Sequence, residues 1–245
     1  MRYFIFFSYD GTNYHGWQMQ PNANTVQQEL EKALSVLLRK DMKVVGAGRT
    51  DTGVHARRMA AHFDWDGEPI DAEQARYRLN RMLPRDISII SIKQVADDLH
   101  ARFSATARTY HYYIHTEKDP FDRHFSLLMH YPLDFDKMNQ AAKHFLWHED
   151  YAAFCKAGGD NKTTICHVSE ARWVRQSDTS WYFEITANRF LRNMVRAVVG
   201  TLLDVGRGKL SMEQFLDILK SGTRSDAGES MPGHALFLEN VEYDF

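Results

Sequence analysis

The segment Gly48-Arg49-Thr50-Asp51-Thr52-Gly53-Val54-His55 sets one carboxylate between two glycines, directly after the apolar stretch 42–47. Glycine permits tight backbone paths and close approach of a substrate. A carboxylate held at such a turn can face a cleft and act as a covalent nucleophile. The same residues also suit a plain structural turn in which Asp51 bonds local amides. An aspartyl-phosphate site is a third option. Such sites generally carry a second Asp two residues on, or a following Lys-Thr-Gly, and neither is present.

Two further segments carry chemistry. If 107–115 is a strand, Arg108, Tyr110 and Tyr112 share one face by its period of two. A cation beside aromatic rings can grip a phosphate and stack a base; tyrosines that simply pack in the core fit equally well. If 189–205 is a helix, Arg189, Arg192 and Arg196 fall at i, i+3 and i+7 and form a basic stripe. Phe190, Leu191, Met194, Val195 and Val198 then bury the other side. Most charged stripes are solvated faces, but this one could bind phosphate or hold a carboxylate.

These segments need a frame. Residues 3–9 read as a buried strand closed by Asp10-Gly11, and 12–23 as a loop. A helix follows, capped by Thr25 with Gln28. Strands are expected at 42–47 and 54–65, a helix from Asp71 to Pro84, and a strand at 87–95. That order is the ferredoxin-like split βαβ. The second half repeats it: strand 107–115, helix 134–146, strands 165–175 and 180–187, and helix 189–205. A shorter helix at 211–219, capped by Ser211 and Gln214, and a strand at 235–243 follow. The stretches 156–164 and 221–234 read as the most mobile.

The chain has 245 residues, enough for one large domain or two packed halves. No signal peptide and no stretch of roughly 20 apolar residues is present, so the expected setting is the cytoplasm, away from membranes. The two cysteines, Cys155 and Cys166, are too few for a disulfide scaffold. With His148 and His167 they match no standard zinc spacing, so no metal is expected. The net charge of −2 does not announce a nucleic-acid binder. Any RNA surface must come from local clustering of arginine.

Together the segments resemble the tRNA pseudouridine synthase A family. The resemblance rests on GRTDTGVHA at 48–56, YDGTNYHGWQMQ at 9–20 and TVQQELEKAL at 25–34. HARFSATARTYHYYI at 100–114 and NRFLRNMVRAVVGTLLDVG at 188–206 extend it, and it runs from about residue 3 to 243. Ala235 stands where the family often has glycine, and Arg192-Asn193 where it often has His-His.

The expected fold is α+β, with two tandem ferredoxin-like halves forming one extended, mainly antiparallel sheet. Helices cover one face, and a catalytic cleft lies between the halves. Residues 1–105 carry the Asp loop; 106–245 carry the Tyr strand and the Arg-rich helix. The resemblance implies isomerisation of uridine to pseudouridine at positions 38, 39 and 40 of the tRNA anticodon stem-loop. Asp51 is the nucleophile and the base is flipped out. Arg49 assists extrusion, Tyr110 stacks on the base, and Arg196 pairs with Asp51, with Arg108 a further substrate contact. No cofactor is implied. The partners implied are tRNA and a second copy of the chain, in a homodimer whose two subunits share each RNA. Arg49, Arg57, Arg58, Arg108, Arg189, Arg192 and Arg196 could together form the phosphate-binding patch. The alternatives are a non-catalytic tRNA-binding or chaperone module, a nucleoside hydrolase that releases uracil, and a pseudouridine synthase with another RNA target.

Overall fold

The computed structural model describes residues 1–156 and 162–245. In chain order the regular elements are β1 (Arg2–Tyr9), α1 (Val26–Leu38), β2 (Val45–Gly46), β3 (His55–Asp64), α2 (Ala72–Met82) and β4 (Ile87–Val95). There follow β5 (Ala105–His115), β6 (Leu127–Leu128), α3 (Phe135–Lys143), β7 (Val168–Arg175) and β8 (Ser180–Ala187). The last are α4 (Met194–Gly206), α5 (Met212–Ser221) and β9 (Leu236–Tyr243). The fold is α+β with mainly antiparallel strands. Two compact units emerge: Met1–Thr106 with Phe237–Phe245, and Ala107–Leu236.

In the first unit β1 is central. It pairs antiparallel with β4 on one side and β3 on the other, and β2 pairs with β3. This is the split βαβ order read from the sequence. The aromatic run Tyr3 to Phe7 is buried throughout. Thr25 caps α1 by accepting from Gln28 N (3.4 Å), and Asp71 caps α2 by accepting from Gln74 N (3.0 Å).

Two features differ from the expectation. The strand expected at 42–47 shrinks to Val45–Gly46. Side chains of α1 take the backbone groups a longer ladder would need: Ser35 Oγ accepts from Met42 N, Glu31 Oε1 from Val44 N, and Gln27 donates to Val44 O. The last strand, β9, runs parallel to β3 with Phe237 opposite His55, so it completes the first unit. Periodicity reports that a strand exists but carries no address for its partner.

In the second unit β8 lies between β5 and β7, both antiparallel to it. Helix α4 is buried on nearly every side, as its all-round apolar sequence requires. It begins five residues later than the expected 189. Asn193 sits at φ 67°, in the left-handed region, and breaks the helical path. Leu191 is buried anyway, so the apolar period runs on through non-helical backbone. Arg189 and Arg192 therefore do not form a helical stripe with Arg196.

The stretch 221–234 is held against α4: Thr201 Oγ1 accepts from Gly228 N (2.8 Å), and Arg196 O accepts from Met231 N (3.1 Å). Of the other stretch read as mobile, residues 157–161 lie outside the described residues.

Candidate active site

The Asp51 loop leaves β2 and enters β3. Its conformation is fixed mostly by backbone contacts with the preceding loop. Trp17 N donates to Thr50 O (3.3 Å), Gly53 N to Tyr14 O (3.3 Å), and Val54 N to Asp51 O (3.1 Å). Gly16, at φ 87°, packs so closely that an added methyl would lie 2.3 Å from Thr50 O. Gly53 also has positive φ, at 75°. Beneath the loop, the buried Thr50 hydroxyl meets the Tyr9 hydroxyl at 2.8 Å. Burying Thr50 leaves Arg49 exposed and Asp51 half-buried on either side of it.

The end of the loop is pinned through His55. Its ring is buried, stacks on Phe237 at 4.5 Å, and accepts from Gly11 N (2.9 Å) at Nδ1. The same nitrogen lies 3.1 Å from the Asp10 carboxylate. Burial alone would raise the pKa of Asp10. The Thr12 hydroxyl and amide, which both donate to it, instead hold it below the ordinary carboxylate range.

Tyr14 ties this framework to the turn after α2: its hydroxyl donates to Asp86 (2.6 Å), and Asn13 donates to the same carboxylate (3.1 Å). Sequence reading gave Tyr9, Tyr14 and Gly16 only as part of the motif at 9–20, with no role of their own, and passed over Asp86. Only the density of glycine and aromatic residues in YDGTNYHGW hinted at a packed loop.

The second unit carries the other expected residues. On β5, Tyr112 is fully buried and donates to Pro232 O (3.0 Å), so it belongs to the core. Burial pushes its phenol pKa up. Tyr110, two residues earlier, is half-buried and meets Phe190 edge-to-face at 5.2 Å. Arg108 is half-buried and donates to Asn188 O (2.7 Å). The one face therefore grades from core at Tyr112 to partly open at Tyr110 and Arg108. Arg196 lies in the first turn of α4 and donates through Nε to Met231 O.

The structure thus holds Asp51 with Arg49 in the first unit, and Arg108, Tyr110 and Arg196 in the second. Arg57 and Arg58 have their own aromatic partners. Arg57 bonds Glu239 (3.1 Å) and lies over Phe237, while Arg58 lies over Phe6.

Among the described residues no three His, Cys, Asp or Glu side chains gather as metal ligands would, and no helix is long and apolar enough to cross a membrane.

Comparison with known proteins matches residues 5–104 and 141–244 to the family described as tRNA pseudouridine synthase. Arg108 and Tyr110 fall between the two matched ranges. Similar full-length relatives include tRNA pseudouridine synthase A of Bacteroides fragilis, 55% identical over 99% of this chain and 96% of that one. The protein of the same name from Bacteroides thetaiotaomicron is 54% identical over 99% of this chain and 90% of that one. In Bacillus subtilis the protein so named is 43% identical, over 97% of each chain. The chain belongs to the tRNA pseudouridine synthase family, isomerases that convert uridine to pseudouridine in tRNA.

Proposed function

We propose that this protein isomerises uridine to pseudouridine at positions 38, 39 and 40 of the tRNA anticodon stem-loop, with Asp51 as nucleophile. The observation that carries the proposal is the Asp51 loop itself. It is a half-exposed carboxylate on a backbone fixed by neighbouring amides and carbonyls, in a chain similar to these synthases along nearly its whole length.

The reaction breaks the N1–C1′ bond, turns the uracil, and joins C5 to C1′. C5 loses a proton and N1 gains one, so atoms balance without redox or an energy source. A carboxylate that bonds covalently to one fragment keeps it in place while the base turns. The target base leaves its stack to be reached. Exposed Arg49 beside the nucleophile can take part in extrusion. Half-buried Tyr110 offers a ring for the base, and Arg108 a cation for an adjacent phosphate. Arg196 would serve as the cationic partner of Asp51. The N-terminal half, 1–105, would thus bring the nucleophile and the C-terminal half, 106–245, the base-binding side chains. We place the protein in the cytoplasm as a homodimer whose subunits share one tRNA.

The test is direct. Unmodified tRNA transcripts are incubated with the protein, and pseudouridine is located by carbodiimide-stop sequencing. Signal at 38–40 is expected; signal only elsewhere overturns the substrate assignment, and release of free uracil points to a hydrolase. Asp51→Asn should lower turnover by roughly 10³-fold or more while tRNA still binds. Near-normal pseudouridine formation by that variant would remove Asp51 from the mechanism.

A further inference from the structure

We infer that the outer face of α2 and the turn after it form a second phosphate-gripping surface, which holds the tRNA beside the Asp51 loop. The inference rests on the reading of the chain as a tRNA-modifying enzyme. Helix α2 reads AEQARYRLNRM and is followed by Leu-Pro-Arg-Asp, so arginines stand at 76, 78, 81 and 85. Ala75, Leu79 and Leu83 are buried and fix the inner side. Tyr77, Arg78, Arg81, Met82 and Arg85 are exposed.

A basic helix face is most often only solvated. Three observations argue for more. First, the acidic groups of this segment are already engaged. Asp71 caps the helix by accepting from Gln74 N, Glu73 pairs with Arg76 (2.8 Å), and Asp86 accepts from Tyr14 and Asn13. Among the described residues Arg78, Arg81 and Arg85 have no carboxylate within ion-pair distance, so their guanidinium donors are not taken up by an acid. Arg81 instead lies over the exposed Tyr77 ring at 5.7 Å and donates to its hydroxyl (3.0 Å). That contact sets a guanidinium beside an exposed aromatic ring.

Second, the whole chain is net acidic, at −2, so this concentration of cations is not a general property of its surface. Third, the position is right. Asp86 bonds Tyr14, whose carbonyl holds Gly53, and Asp86 O accepts from Asp10 N (2.9 Å). One layer of backbone therefore separates the Arg85 turn from the Asp51 loop. The guanidinium's planar fork of donors suits phosphate oxygens. The occupant that fits is a polyanion already brought to Asp51, which is the tRNA backbone.

The experiment compares two triple variants with the unaltered protein. One is Arg78→Gln/Arg81→Gln/Arg85→Gln; the other changes the same three to lysine. Binding of an unmodified tRNA transcript is followed by anisotropy between 50 and 200 mM salt, alongside single-turnover pseudouridine formation. Each lost phosphate contact should lower the salt slope by about 0.7–0.9, so the glutamine variant should lose roughly 2 to 3 and bind at least tenfold more weakly. Its rate at saturating tRNA should stay within about threefold, and the lysine variant should keep the slope. Equal affinity and slope for the glutamine variant overturns the inference, as does equal loss in both variants. Intact tRNA binding with lost binding to phosphatidylserine vesicles assigns the face to lipid and overturns it as well. If the unaltered protein binds tRNA but forms no pseudouridine, the proposed reaction fails, and the salt slopes still decide this surface.

Discussion

The Asp51 loop and the segment 188–193 lie in different units, and each leads out of one regular element and into the next. They differ in how much side chains add to the main-chain bonds that hold them. The Asp51 loop is gripped through its backbone: Thr50 O, Asp51 O and Gly53 N are all bonded to main-chain partners, and Gly16 lies against Thr50 O. The segment 188–193 is held by its backbone as well, with Asn188 N donating to His167 O (3.1 Å) and Lys156 N to Arg192 O (3.1 Å), but it adds a second set of bonds through side chains. Asn188 Oδ1 accepts from His167 N (2.9 Å), Arg108 donates to Asn188 O, and Asn193 Nδ2 donates to Ser230. A backbone grip fixes a loop while leaving its side chains to chemistry. A side-chain grip fixes the path of the chain but makes it depend on residue identity.

The largest expected effect tests the backbone grip. Gly16→Ala puts a methyl 2.3 Å from Thr50 O at a positive φ, and should cost about 3 kcal/mol. Thermal melting should show a drop of roughly 6–12 °C. A variant that melts with the parent would mean that the two loops are not in that contact.

Next comes the side-chain grip. Asn193→Ala removes the amide at a left-handed position and should cost about 1–2 kcal/mol. Asn193→Gly should recover most of that by relieving the backbone. Equal losses in the two variants would place the whole effect in the Ser230 bond.

A smaller effect separates the two segments by pH. Asp10, depressed by its Thr12 hydrogen bonds against the opposing pull of burial, stabilises the first loop above its unfolded pKa near 3.8. That contribution is lost as pH falls through its lower folded value. The Asn188 and Asn193 side chains do not titrate, so the second segment should not respond there. Amide hydrogen exchange at pH 5 and pH 2.5, corrected for intrinsic rate, should show Gly11–Asn13 losing protection on acidification and Met194 unchanged. Parallel loss at both would erase the distinction.

The smallest effect concerns Gly48. Nothing lies within 4 Å of an added methyl there, so Gly48→Ala should change stability by less than about 0.5 kcal/mol.

Gly48 and Gly53 also show what sequence could and could not convey. Both flank Asp51 and look equivalent in GRTDTG, yet only Gly53 has the positive φ that favours glycine. A residue type reports what a position permits, whereas the requirement is set by neighbours far along the chain. For the same reason the caps at Thr25, Asp71 and Ser211 were legible, since each acts within one helical turn.

Tyr110 and Tyr112 were read as one face, which the structure bears out. Which of them was core depended on Pro232, which is distant in sequence. The α4 boundary failed at Asn193 because apolar spacing continued past the end of helical backbone. The α2 arginines drew no notice because an arginine-rich helix face is ordinary. Their meaning depends on acids that turn out to be engaged elsewhere.

The pairing of β9 with β3 bears on how the molecule is made. Tyr243 and Phe245 pack edge-on against Phe4, and Tyr243 donates to Ala101 O (2.6 Å). Synthesis proceeds from the N-terminus at about 5–20 residues per second, so the first unit waits roughly ten seconds for its last strand. Through that interval the edge of β3 at His55 and the aromatic face around Phe4 are open to chaperones or to misassociation with neighbouring chains. A nascent chain arrested before Phe237 should therefore be more protease-sensitive in its first unit than the full-length chain.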